Sequence, residues 1–226
     1  YNGEIYNYES IANGKYYNND TEFLLQFLSN LKSEKELKKL DGMFAFLHFN
    51  KKKNVITFGS DPQGEKRLYK FENEEFFLIS SNPKAILNFF NINQRLNKNV
   101  IKRYFHTRHF TLIDDTIFKN IEILKPGNVY RYSLTLKKLK RKSFDNPIDW
   151  IDKNLYFRLK NAGYKKTKEE FKSLLLKTAH TMVPKINFST ILTGGIDSTL
   201  ISYILKNYKN HKNFIGINNF GKDEAY

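Results

Sequence analysis

At 226 residues, 40% hydrophobic and 15% aromatic, the chain is long enough for one large domain or for one domain and part of another, and too apolar for a disordered polypeptide. Its net charge of +15 comes from lysine spread along the whole length among abundant Asn, Phe and Ile, which reads as compositional bias and makes a nucleic-acid partner unexpected. With no cysteine there is neither a disulfide framework nor a thiolate metal site, and with no apolar run near the roughly 18 to 20 residues of a membrane span and no signal-peptide pattern, a cytoplasmic protein is expected.

Asp20 precedes Phe23, Leu24, Phe27, Leu28 and Leu31, whose spacing predicts an amphipathic helix, with Asp20 available as its N-cap. Met43–Phe49 and Val55–Phe58 flank a turn-like segment and read as a β-hairpin; Leu68–Phe71 and Phe76–Ser80 read as a second β pair. A short helix is expected to start at Asn82-Pro83, and Asn128–Leu136 to be the last strand of this half, with the basic run Lys137–Lys142 as its solvated end or turn. An irregular stretch is expected over 142–165. Beyond it, Phe171, Leu174, Leu175 and Thr178 mark one helical face, Phe188–Leu192 a buried strand, Ser198–Asn207 a helix and Phe214–Ile217 a second strand, which together make a βαβ unit of a parallel sheet. The fold class expected is α+β, with layered antiparallel sheets and helices, followed by the start of an α/β parallel-sheet domain. The five histidines His48, His106, His109, His180 and His211 show no metal-ligand spacing and read as structural.

Thr193-Gly194-Gly195-Ile196-Asp197-Ser198-Thr199 joins the strand to the helix of that βαβ unit. Two glycines let backbone come close to a ligand, and the helix start offers unpaired N–H groups and a positive dipole end, a setting that suits a pyrophosphate. Thr193, Ser198 and Thr199 add hydroxyls; Asp197, repelled by phosphate, is suited to holding Mg²⁺ or fixing the loop. Neither a Walker ending nor a dinucleotide fingerprint is present. The segment resembles the Ser-Gly-Gly-x-Asp-Ser loop of the ATP pyrophosphatases, with Thr193 for the first serine. The resemblance implies that Leu192, Thr193, Gly194, Gly195, Asp197, Ser198, Thr199 and Ile217 hold ATP and its pyrophosphate, with Mg²⁺ at Asp197.

At the other end, Asn2-Gly3-Glu4-Ile5-Tyr6-Asn7 resembles the Asn-Gly-Glu-Ile-Tyr-Asn segment of the class II glutaminase domain of glutamine-hydrolysing asparagine synthetases. Asp20-Thr21-Glu22, Leu40 to Phe46, Asp61-Pro62-x-Gly64 with Lys66 and Leu68-Tyr69, Lys84 to Leu87, Pro126-Gly127, Val183-Pro184 and Asp223-Glu224 recur in that family in the same order. The resemblance implies a glutaminase domain over residues 1–141, a linker over 142–165 and the start of an ATP pyrophosphatase domain over 166–226. It also implies a division of labour. Asn2 and Gly3 form an oxyanion hole, and Asn2, Gly3, Glu4 and Asp20 bind glutamine, the two carboxylates taking its ammonium. The family's N-terminal cysteine nucleophile and carboxylate-binding arginine are expected upstream of Tyr1, so that this stretch is not expected to hydrolyse glutamine unaided. Released ammonia is expected to attack a carboxylate, by resemblance that of aspartate, activated by ATP as an acyl-adenylate. A homodimer is left open. So are related acceptors, in β-lactam, lasso-peptide or sugar modification, and more remotely a tRNA-modifying ATP pyrophosphatase or a non-catalytic scaffold. The family usually carries Arg where Ser60 stands and Glu where Asn82 stands, and their joint loss is expected to avoid one orphaned buried charge.

Overall fold

The computed structural model describes residues 1–89, 95–110, 115–183, 188–207 and 215–217, with the Ile215 side chain left out. Pro184, His211, Phe214, Asp223 and Glu224 therefore lie outside the described residues. The chain divides into two compact units, 1–151 and 152–226.

In chain order the first unit runs β1 (Asn2–Ile5), α1 (Tyr8–Ile11), α2 (Asp20–Ser29), β2 (Gly42–Asn50), β3 (Val55–Ser60), β4 (Tyr69–Glu72), β5 (Phe77–Ser80), α3 (Pro83–Phe89), α4 (Lys98–Thr107), β6 (Ile121–Ile123), β7 (Asn128–Ser133) and β8 (Lys138–Ser143). Both expected β pairs form, β2 with β3 and β4 with β5. They belong to two antiparallel sheets, one of five strands in the order β1-β2-β3-β7-β8 and one of three in the order β5-β4-β6.

The apolar run Phe44-Ala45-Phe46 does not alternate because the larger sheet is covered on both faces. On one face Phe44, Phe46 and Val129 pack with Phe23 and Leu24 of α2 and with Leu37 and Leu40. On the other, Ala45, Phe58 and Tyr130 meet Leu68 and Leu124, with Phe77 and Ile79 of β5 against them. Beyond the smaller sheet, Ile86 and Leu87 of α3 pack on Phe71 and Ile121. The layers are thus helix, sheet, sheet, helix.

Two expectations for this half need correction. Asn128–Leu136 is not the last strand: Lys137 sits in a turn, and the basic run from Lys138 on lies within β8, paired along β7 from Asn128↔Ser143 to Ser133↔Lys138. An edge strand with charged side chains in water needs no apolar alternation, so its sequence looked like a turn. Nor is 142–165 irregular, since it holds the end of β8, a 3₁₀ turn at Pro147–Trp150 and the first part of α5 (Lys153–Thr181). Asp152 caps that helix by accepting from the Asn154 and Leu155 N–H groups, and Gly163, at φ +77°, interrupts it.

The second unit continues with β9 (Ser189–Ile191), α6 (Ile196–Lys206) and β10 (Ile215–Ile217), β9 and β10 pairing in parallel as a βαβ unit requires. The helical face expected on α5 is not the covered one: Phe171, Leu174 and Thr178 are exposed, and Ala179 is buried instead. The strand expected to be buried is shorter and open, with Ile191 70% exposed. A two-strand sheet offers little cover; what α6 buries is mainly Ser202 and Ile204, Ser202 Oγ lying 2.9 Å from Thr190 Oγ1.

Candidate functional site

The site is built around β1. Gly3 has φ +136° and faces Phe44 across the ladder, and Gly42 has φ +157° and faces Ile5. A Cβ on Gly3 would collide with the Met43 carbonyl, and one on Gly42 with that of Glu4. Only glycines permit this approach of β1 to β2.

The first turn of α2 then reaches β1. Asp20 is not the N-cap: Asn19 is, its side chain accepting from the Glu22 N–H at 2.9 Å. That leaves the Asp20 carboxylate free for tertiary work. Its Oδ2 accepts from the Ile5 N–H at 3.0 Å and from the Tyr1 hydroxyl at 2.5 Å, while Oδ1 has no protein partner among the described residues. Burial first, then the Asp20 bond and charge and the Glu4 charge, push the Tyr1 phenol far above its ordinary range. Tyr6 is raised as well, by burial and then by Glu4. Glu4 is exposed, and neither Glu4 nor Asp20 has an ion-pair partner among the described residues.

Asn2 looks elsewhere. With Tyr1 it lines a cavity of about 540 Å³ whose other walls are Ala45–Leu47, Glu65–Leu68 and Ile79–Ser81; Gly3, Glu4 and Asp20 are not among its lining residues. The structure therefore brings Asp20 to β1 and Asn2 to the cavity wall, without placing all four expected glutamine residues in one pocket.

The wall at Glu65, Lys66 and Arg67 is held by a residue to which the sequence assigned no role. Asp61 is fully buried, and its carboxylate accepts from the N–H groups of Phe44 (3.3 Å), Gln63 (3.1 Å), Glu65 (3.0 Å) and Lys66 (3.0 Å). Its carbonyl accepts from Gly64 and Gly127. One buried anion thus fixes a six-residue turn to β2 and to the Pro126-Gly127 bend. The Asp-Pro-x-Gly spacing marked the turn; the backbone donors that give it purpose carry no sequence signature. Nearby, Ser60 is 2% exposed opposite Ala45, and Asn82 is exposed, accepting from the Lys84 N–H at the start of α3.

In the second unit Gly194 has φ +79°, with nothing near the place a Cβ would take, and the N-terminus of α6 has no side-chain cap. Thr193 Oγ1 lies 3.0 Å from Ser198 Oγ, while Ser198 and Thr199 donate to the Gly195 carbonyl at 3.1 and 2.8 Å. Leu192 N–H donates to the Ile217 carbonyl at 2.8 Å, tying the end of β9 to β10. Thr193, Gly194, Gly195, Asp197 and Thr199 are all exposed, so the turn is open to a ligand. Among the described residues no group of three or more His, Asp or Glu could hold a metal. Asp197 as a lone carboxylate fits Mg²⁺ only in the way that ion is commonly held, shared with phosphate oxygens and water.

Residues 1–144 match the model of the glutamine amidotransferase domain. The putative asparagine synthetase [glutamine-hydrolyzing] 2 of Methanocaldococcus jannaschii is 29% identical over 219 residues, covering 92% of this chain and 40% of that protein. Asparagine synthetase [glutamine-hydrolyzing] 1 of Bacillus subtilis is 27% identical over 219 residues, covering 92% and 32%. The chain thus spans two fifths or less of the length of these curated relatives. Among solved structures, a glutamine phosphoribosylpyrophosphate amidotransferase from B. subtilis superposes with a TM-score of 0.41 at 16% identity, over 64% of this chain and 28% of that one. With its antiparallel sheets between helical layers and a family match over nearly two thirds of its length, the chain belongs to the class II glutamine amidotransferase domain family and is a distant relative of the asparagine synthetases.

Proposed function

We propose that the chain is part of a glutamine-dependent carbon–nitrogen ligase of the asparagine synthetase kind. In this reading the first unit binds glutamine and releases ammonia, and the second activates a carboxylate with ATP. The observation that carries it is the bond from Ile5 N–H to Asp20, which joins the first turn of α2 to the Asn2-Gly3-Glu4 strand and leaves two unneutralised carboxylates for an ammonium. Asn2 and the Gly3 N–H would stabilise the tetrahedral oxyanion; the chain has no cysteine, so the nucleophile is no part of it.

Glutamine and water then give glutamate and ammonia. ATP and the acceptor, aspartate in this proposal, give β-aspartyl-AMP and pyrophosphate, and ammonia displaces AMP to leave asparagine. The backbone N–H groups of Gly194 and of Ile196 to Ser198 would receive the phosphates, the Ser198 and Thr199 hydroxyls turning to them from the Gly195 carbonyl, with Asp197 sharing Mg²⁺; the metal would supply charge neutralisation on the phosphate oxygens.

Titrating the chain with glutamine and following its amide resonances tests the first half. Asp20→Asn removes a charge from a charge-assisted contact and is expected to weaken glutamine roughly tenfold or more. Asp197→Ala is expected to weaken Mg-ATP and to leave glutamine unchanged. If wild-type chain binds neither ligand, the proposal fails; if Asp197→Ala leaves nucleotide affinity intact, its ATP half fails.

A further inference from the structure

An ammonium group carries three N–H donors, and with one oxygen from each carboxylate, Glu4 and the open Oδ1 of Asp20, only two of them are met. This inference rests on the glutamine reading above and asks what meets the third. We infer that the Tyr1 hydroxyl oxygen is the third acceptor of the ammonium site, and so a specificity-determining residue for a primary amine. Its geometry fixes the direction of its proton. Asp20 Oδ2 lies 2.5 Å away and already accepts the Ile5 N–H, so the phenol donates to that oxygen. A hydroxyl that has spent its proton in one direction keeps lone pairs facing others, and here can only accept from an incoming ligand. The raised phenol, shifted by burial and then by Asp20 and Glu4, stays protonated through the neutral range and keeps this polarity.

The arrangement has a chemical consequence. Three oxygens, two of them carboxylate and one of them a pre-committed acceptor, match –NH₃⁺ and discriminate against an amide nitrogen or an acylated amine, which cannot fill all three. Because Asp20 is already tied to the Ile5 N–H, Tyr1 is not needed merely to keep that carboxylate in place.

Tyr1→Phe removes the oxygen and keeps the ring. Two quantities are read by amide NMR on the 226-residue chain: the dissociation constant for glutamine, and the hydrogen-exchange protection of the Ile5 N–H, which reports whether Asp20 is still seated. The expected result is a roughly tenfold weaker glutamine constant, the scale of one hydrogen bond to a charged group, with Ile5 protection retained. An unchanged constant overturns the inference. A weakened constant accompanied by lost Ile5 protection also overturns it, since Tyr1 would then act only by holding Asp20. Wild-type chain that binds no glutamine overturns the inference together with the reading beneath it, whereas wild-type binding that Asp20→Asn weakens and Tyr1→Phe does not overturns the inference alone.

Discussion

Asp61 shows how much of the site rests on one side chain that touches no ligand. Its fully buried carboxylate satisfies four backbone N–H groups, that of buried Phe44 and three from its own partly exposed turn. Asp61→Ala strands those donors, and since each buried unsatisfied group costs about 1 to 3 kcal/mol with partial relaxation, a loss of about 3 kcal/mol or more is expected in urea unfolding. Asp61→Asn keeps one acceptor oxygen and is expected to cost roughly half as much. Ser60 offers the opposite experiment. It is buried opposite Ala45, which lines the same cavity as Ser80 and Ser81, the two residues just before Asn82. Ser60→Arg places an unpaired charge there and is expected to destabilise by about 3 to 5 kcal/mol, with Asn82→Glu added to it recovering much of the loss; a neutral single variant would refute the pairing idea. The sequence singled out Asp20 twice, as a residue for an ammonium and, on the simpler reading, as the cap of α2. The cap is Asn19, one residue earlier, because a cap is decided by which side chain reaches the unpaired N–H groups of the first turn, and both residue types can do so on paper.

At the scale of elements, the joints between sheet and helix set the response to pH. Glu34 accepts ion pairs from Arg131 of β7 at 3.1 Å and Lys142 of β8 at 3.0 Å, and its own backbone N–H and the Lys142 bond hold its carboxyl below the usual range. His48 of β2 lies with Nε2 3.4 Å from Ser29 Oγ of α2, and burial depresses its imidazole. Both shifts mean that the unfolded chain takes up protons more readily than the folded one, so stability rises with pH in each window. The His48 contribution is complete above the ordinary imidazole value of about 6.5 and falls away as acid carries the pH down through its lowered value. The Glu34 contribution is complete above about 4.3 and is lost at still lower pH. Urea titrations are expected to show two acid steps; Glu34→Gln removes the lower one, at a cost near 1 kcal/mol because both its cations are largely exposed, and His48→Gln removes the upper one. The elements themselves were readable where burial imposes a period, as in β2 with β3 and in α2. The helix around Phe171–Thr178 was readable as well; β8 and the first part of α5 were not, because exposed lysines and asparagines there obey no period, and the neighbouring strand sets the register of β8 while Asp152 caps α5.

On the scale of the whole chain the two units differ in what they bury. Among the described residues the three hydrophobic clusters lie within residues 1–151, from Ile5 and Phe23 through Phe58 and Tyr130 to Phe71 and Ile121. Among the described residues of the second unit, Ala179, Ser202 and Ile204 are buried, while Phe171, Leu174, Ile191, Ile196 and Tyr203 are each more than half exposed. Apolar burial at about 25 cal/mol per Å² is the main term opposing chain entropy, so stability should be concentrated in the first unit. The local grammar of the second unit was nonetheless plain in the sequence: a glycine pair between a β run and a helix predicted strand and turn, and a second β run after the helix supplied the parallel partner. What could not be read there was burial, because it depends on surfaces supplied by other elements. Residues 1–151, expressed alone, are therefore expected to unfold cooperatively with a midpoint close to that of the first unit in the 226-residue chain. Limited proteolysis of the longer chain should cut first beyond Ile151, and a hydrophobic dye should bind it more strongly than the shorter one. Equal dye binding with a markedly lower midpoint for 1–151 would show instead that the first unit draws stability from the second, and that the three clusters are not self-sufficient.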